Sequence, residues 1–231
     1  MTILCIETST SVCSAAICKD GEPCKQCISY EGGNHARLLP RYIEELLSFA
    51  REQSLSIETV ALSEGPGSYT GLRIGTSTAK GLCYGLNIPL IPIPTLEVLC
   101  EAVKSSISNL QSSILIPMID ARRMEVYTMI KGETKAVVVE NEESLMANSQ
   151  ELIANSQYYY FGDGAEKCTK VFTKPNWHYI PDIVPEAQYM GVLAEQLTAN
   201  GQRLTANDIA YYEPFYLKEF IAAPSHVKGL S

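Results

Sequence analysis

Clustered lysines and arginines are missing from this 231-residue chain, and its formal net charge is −8. A protein that grips nucleic acid unaided presents grouped cations that neutralise phosphates. If an anionic polymer is the ultimate substrate, a partner must supply most of the grip. Long apolar runs are missing too, since no window approaches the roughly 18 residues of a membrane span. The short apolar run Ile3–Ile6 ends at Glu7 with no basic stretch before it, so it does not read as a secretory leader. The expectation is a cytoplasmic chain with its eight cysteines reduced. A second C-x-x-C is absent, and the single one, Cys24 and Cys27, falls on a strand whose alternation turns the two thiols to opposite faces. Histidine is scarce. His35 heads a helix, but positions 38 and 39 are leucines, so no second metal ligand follows on that face. His178 and His226 lie far off without supporting ligands, and no Ser, Cys or Thr stands in a recognisable nucleophile motif. No metal site is therefore expected.

What is present is an ordinary globular composition. Hydrophobic residues make up 46% and charged residues 19%, enough to bury a core in one large domain or two small ones. The first thirty residues read as three short strands, and HARLLPRYIEELLSFAREQ then follows helical periodicity, with Leu39, Ile43, Leu46, Leu47 and Ala50 on one face. Pro40 is placed in the first turn, where proline costs little. A strand at Thr59–Ser63, a helix at about Thr70–Gly85, a strand at PLIPIP and a helix N-capped by Thr95 complete an α/β first half. The polar stretch Ser105–Ser113 marks a boundary. Beyond it ILIPMID and EVYTMIKG form a second hairpin, AVVVE a third strand, and strand and helix patterns alternate again. Both halves open with an apolar strand that ends in a carboxylate, Glu7 or Asp120, and this predicts an internal duplication. The divisions are 1–104, 114–215 and a tail over 216–231.

Two features bear on function. A strand ending in Glu7, followed by the hydroxyls of Thr8, Ser9 and Thr10 in a hairpin turn, is a sensible place for phosphate and hydrated Mg²⁺. Asp120 in the second hairpin, with Gly162 and Gly164 near it in pattern, extends that reading. The competing reading is a plain hairpin turn with common turn residues. Secondly, the second helix is apolar or small over an arc of roughly 200°, twice what packing on one core requires. Gly71, Gly75 and Ala79 read as a ridge for close approach of another backbone, flanked by Ile74, Thr78 and Leu82. The first helix carries a second apolar stripe, Leu38, Tyr42 and Phe49, beyond its core face. Surplus apolar faces of this kind mark interaction sites.

The segment EGPGSYTGLRIGTSTAKGL (Glu64–Leu82), continued by NIPLIPIPTLEVL, closely resembles the TsaB (YeaZ) family, as do ILCIETSTSVCSAAI, NHARLLPRYIEELL and IDARRMEVYTMI. The likeness covers most of the first 130 residues and fades to GDGAEK and YYEPFYLK beyond. It implies the duplicated actin/hexokinase/Hsp70-like (ASKHA, ribonuclease H-like) α/β fold. It also implies a non-catalytic subunit that pairs, through its first two helices, with a TsaD-type transferase. That paralogue places threonylcarbamoyl on the tRNA adenosine beside the anticodon, and a TsaE-type ATPase joins the assembly. Isolated members of the family form homodimers through the same surface, and tRNA would be met only through the complex. In the paralogue a H-x-x-x-H pair on the first helix binds metal; here His35 holds the first position and Leu39 replaces the second. No cofactor is firmly implied, ATP with Mg²⁺ at a subunit boundary being the one nucleotide reading left open. Arg122 and Arg123 follow Asp120 where ASKHA kinases carry glycine and small residues, and they are expected to fill the phosphate cleft. The alternatives are an independent ASKHA ATPase or phosphotransferase acting through Glu7 and Asp120, and a glycoprotease-like metallopeptidase.

Overall fold

The computed structural model describes residues 1–107, 110, 113–130, 132–146 and 156–218. In chain order the first half contains β1 (Thr2–Glu7), β2 (Cys13–Lys19), β3 (Glu22–Ser29), α1 (His35–Glu52), β4 (Thr59–Gly65), α2 (Tyr69–Leu86), β5 (Leu90–Pro94) and α3 (Thr95–Ser106). The second half contains β6 (Ser113–Asp120), β7 (Glu125–Ile130), β8 (Glu133–Val138), α4 (Glu142–Met146), β9 (Gln157–Phe161), β10 (Trp177–Ile180), α5 (Met190–Ala199) and α6 (Ala206–Tyr211).

The two sheets repeat one topology. The first runs β3-β2-β1-β4-β5 and the second, read from the equivalent edge, β8-β7-β6-β9-β10. In each, a meander of three antiparallel strands is extended by two parallel ones. β1 is buried along its whole length, as befits a central strand covered on both faces. The duplication expected from the carboxylate-ended strands is thus present in the sheets, and it gives the duplicated ASKHA-like α/β fold.

The helices are shared between the sheets. α1 and α2 pack on one face of the first sheet through Leu39, Ile43, Leu46, Ala79 and Cys83. The other face is closed by α5, whose Met190, Leu193 and Ala194 join Ile3, Cys5, Ile91 and Ile93. α5 follows the second sheet in sequence yet completes the core of the first. α3, in turn, meets the second sheet through Leu96, Leu99 and Val103 against Ile119 and Phe161. A further core in the second half gathers Tyr158, Tyr160, Phe172 and Trp177, with Tyr158 and Trp177 stacked at 4.7 Å.

Local departures from expectation have simple causes. Pro40 sits in the second turn of α1, where its ring removes the bond that Ala36 C=O would accept, and exposure of both residues to water limits the cost. Thr95 is the first residue of α3 and not its cap; its hydroxyl lies 2.8 Å from Ser63 Oγ in the core. Leu47 is half-buried at the edge of the α1 core stripe. The strand β10 and the helix α6 had no clear sequence signal.

Candidate functional site

The C-terminal ends of β1 and β4 meet at the turn where phosphate binding was expected. Glu7, Thr8, Ser9 and Thr10 come together there, but all four are buried. The Glu7 carboxylate accepts from the Ser9 amide and hydroxyl, both at 2.6 Å. Its second oxygen is enclosed without a partner. Burial pushes the Glu7 carboxyl above its ordinary value, against the lowering effect of the hydroxyls and amides around it.

The chain's own backbone packs closely on this turn. Thr8 Oγ1 donates to Gly71 O at 2.9 Å, and the Ser68 amide donates to Ser9 O at 2.6 Å. A Cβ on Gly67 would come within 2.2 Å of Ser9 O, one on Gly71 within 2.0 Å of Thr8 O, and one on Gly75 within 2.4 Å of Thr8 Oγ1. The glycines of EGPGSYTGLRIG therefore let the loop and α2 lie directly on the hairpin turn. Ser68 caps the helix, its Oγ accepting from the Gly71 amide at 3.3 Å.

This overturns one expectation about α2. Gly71, Gly75 and Ala79 are buried against the chain's own β1 turn and β4, and they are not available to a partner. The outward ridge lies a third of a turn away: Gly81 and Gly85 are exposed, and a Cβ on either meets nothing within 4 Å. Ile74, Thr78 and Leu82 flank that ridge, half-buried. Leu38, Tyr42 and Phe49 on α1 are likewise half-buried at the outer edge of the same core.

The second half repeats the close approach. A Cβ on Gly162 would meet Met118 O at 2.2 Å, and one on Gly164 would meet Ile119 C at 2.8 Å. Gly162 and Gly164 thus serve the chain's own packing, as Gly67 does in the first half. Asp120 is exposed, but Lys167 is ion-paired with it, and its amide donates to Asp163 Oδ1 at 2.9 Å. Arg122 and Arg123 do not fill a cleft. Both are exposed in the β6–β7 turn, with φ of 69° and 51°. A left-handed conformation costs a residue with a Cβ of order 1 kcal/mol.

Neither hairpin turn offers a free carboxylate and open amides together, so the residues present do not fit ATP with Mg²⁺ within this chain. Among the described residues no group of three His, Cys, Asp or Glu could hold a metal. His35 is buried with Nε2 3.1 Å from Val12 O, and Leu39 beside it is fully enclosed in the core. Cys24 is exposed and Cys27 buried, on opposite faces of β3, and all eight cysteines are free. No described helix is long and apolar enough to cross a membrane.

A cavity of about 550 Å³ lies further along α2, between Ile88, Pro89 and Ile209. Lys80 spans its edge to Ala210 O at 3.1 Å. The segment after α6 crosses between the halves. The Phe215 amide donates to Glu64 O at 2.8 Å, Tyr216 packs on Tyr69 at 5.0 Å, and Lys218 is ion-paired with Glu125 of β7. Of the expected tail only residues 216–218 are described; the remainder lies outside the described residues.

Glu7 yields a direct prediction. Its folded-state value is raised, so its contribution to stability is complete below about 4.5, its ordinary value, and is lost as pH rises through the folded value. Glu7→Gln keeps an acceptor for Ser9 and removes the buried charge. It is expected to stabilise the chain by about 1 kcal/mol at pH 8, with the gain shrinking towards pH 4. Urea denaturation of both forms at the two pH values measures the difference.

The sequence model described as "TsaD: tRNA N6-adenosine threonylcarbamoyltransferase" matches residues 31–224. A Haemophilus influenzae protein named tRNA threonylcarbamoyladenosine biosynthesis protein TsaB is 34% identical over 127 residues, 55% of this chain and 52% of that one. The Escherichia coli protein of the same name is 26% identical over 96% of both chains. The chain belongs to the TsaB (YeaZ) family of TsaD-like proteins. Its match to the Haemophilus relative spans about half the length of that protein, whereas the match to the Escherichia one is nearly complete. A solved structure titled "YeaZ from Pseudomonas aeruginosa", 24% identical, superposes with a TM-score of 0.71 over 94% of this chain and 99% of that one, which supports the fold. Both curated relatives carry a name that refers to tRNA threonylcarbamoyladenosine biosynthesis.

Proposed function

We propose that the chain is a non-catalytic subunit that docks on a TsaD-type transferase, positions and activates it, and works with a TsaE-type ATPase in threonylcarbamoylating tRNA adenosine next to the anticodon. The observation that carries this is the commitment of α1. Where a metal-binding helix would carry its second histidine, Leu39 is fully enclosed in the core. On the outer edge of the same helix Leu38, Tyr42 and Phe49 remain only half covered. α1 is thus used for packing on one side and is available for a partner on the other.

The proposed docking surface takes Ile74, Thr78 and Leu82 of α2, where Gly81 and Gly85 allow a partner's backbone to come close, and the stripe Leu38, Tyr42 and Phe49 of α1, which lies towards β3 with Lys25 over the Phe49 ring. Residues of this size and character suit the desolvated centre of an interface. The same face serves a second copy of the chain when the transferase is absent, and tRNA is reached through the complex. An independent ATPase is disfavoured by the closed turn at Glu7 and by the Lys167 ion pair at Asp120. The test is co-purification. Co-expressed with a TsaD-type protein, the tagged chain should bring it down in equal amount, and any homodimer should be displaced. Failure to recover the transferase would contradict the proposal.

A further inference from the structure

The exposed turn at the end of β6 breaks a local rule without serving the core. Three-residue hairpin turns that need positive φ ordinarily use glycine or asparagine. Here two successive arginines, Arg122 and Arg123, occupy that conformation. The turn is firmly held: the Ala121 amide donates to Glu125 O at 3.0 Å, the Glu125 amide to Arg122 O at 3.1 Å, and the Arg122 amide to Asp120 Oδ1 at 3.1 Å. The neighbouring acids are already matched, Asp120 by Lys167 and Glu125 by Lys218. Neither arginine has a carboxylate partner among the described residues, and both are exposed. Residues held in sparsely populated backbone conformations concentrate at functional sites.

The turn's location adds to this. Phe215 is bonded to Glu64 beside the N-terminus of α2, and Lys218, three residues later, is paired with Glu125. Three residues of chain span at most about 11 Å. The arginine turn is therefore tied, through residues 215–218, to the loop that leads into the proposed docking helix.

We propose that Arg122 and Arg123 contact the phosphate backbone of RNA held by the assembled complex. This rests on the function proposed above. Guanidinium forks suit phosphate oxygens, and two of them in a fixed turn can each neutralise one phosphate. The net charge of −8 opposes any broader grip by this chain, so the contact is a small one that works beside a partner's.

The test uses the complex with a TsaD-type transferase and an unmodified substrate tRNA. Co-purification is checked first. Equilibrium binding is then measured across a salt titration for the wild type, for Arg122→Asn with Arg123→Asn, and for Arg122→Lys with Arg123→Lys. Asparagine accepts the left-handed turn, so the first pair removes charge while sparing the backbone. It should lower the slope of log K against log salt by about 1 to 2 and weaken binding severalfold, with assembly unchanged. The lysine pair should keep the wild-type slope. An unchanged slope in the asparagine pair would overturn the inference while the docking proposal stands. Loss of assembly in that pair would overturn it in favour of an acidic protein surface. If the wild-type chain does not assemble, the functional proposal falls and this inference falls with it.

Discussion

Gly71→Val is expected to abolish the fold of the isolated chain or leave it about 3 kcal/mol or more less stable. A Cβ at this position would lie 2.0 Å from Thr8 O, which is backbone of the β1–β2 turn. That turn cannot retreat freely, because Thr8 is bonded to Gly71 O and Ser9 to the Ser68 amide. Relief would require α2 to lift off the first sheet, opening the core formed by Leu62, Ala79 and Cys83. Thermal unfolding should show a midpoint lower by roughly 6–12 °C, if a transition remains. A wild-type midpoint would mean that α2 does not lie on the turn as described.

Gly81→Arg, ten residues along the same helix, should behave in the opposite way. Gly81 is exposed with open space above it, and glycine within a helix costs up to about 1 kcal/mol relative to good helix formers such as arginine. The isolated chain should be as stable as wild type or slightly more so. Docking should fail, because a long charged side chain would stand within the proposed docking face. A loss of about 2 kcal/mol or more in affinity, some 30-fold, is expected by analogy with central interface positions. Titration calorimetry with the transferase measures it, and unchanged affinity would move the interface elsewhere.

The contrast between these glycines shows where sequence reasoning succeeded and where it stopped. The periodicity of α2 correctly revealed a helix apolar over too wide an arc, but an arc has no intrinsic inner side. Gly71, Gly75 and Ala79 were assigned to the outside because small residues allow close approach by another backbone. They do allow it, and the backbone is the chain's own. The alignment of Gly71 and Gly75 with Leu72, Thr76 and Cys83, all buried, was the signal that could have placed them. The paired carboxylate-ended strands were read correctly as a duplication, since hairpin and strand signals are local. The crossing of α5 back to the first sheet was illegible, because its apolar face fits either core equally well and only the tertiary arrangement decides. At Asp120 the sequence suggested bulk in a cleft, whereas the left-handed φ of Arg122 and Arg123 carries both side chains into solvent. The ion pair from Lys167, 47 residues away, could not be anticipated from spacing.

The central claim is that this chain supplies docking and activation and not chemistry. It is tested most directly by reconstituted tRNA threonylcarbamoylation, with the threonylcarbamoyl donor and the ATPase supplied throughout. The transferase, this chain, and both together are compared on the same unmodified tRNA. Modification only in the mixture containing both, and its loss when Gly81→Arg replaces the wild-type chain, is the predicted result. Modification by this chain without the transferase, or full activity of the transferase without this chain, would contradict it.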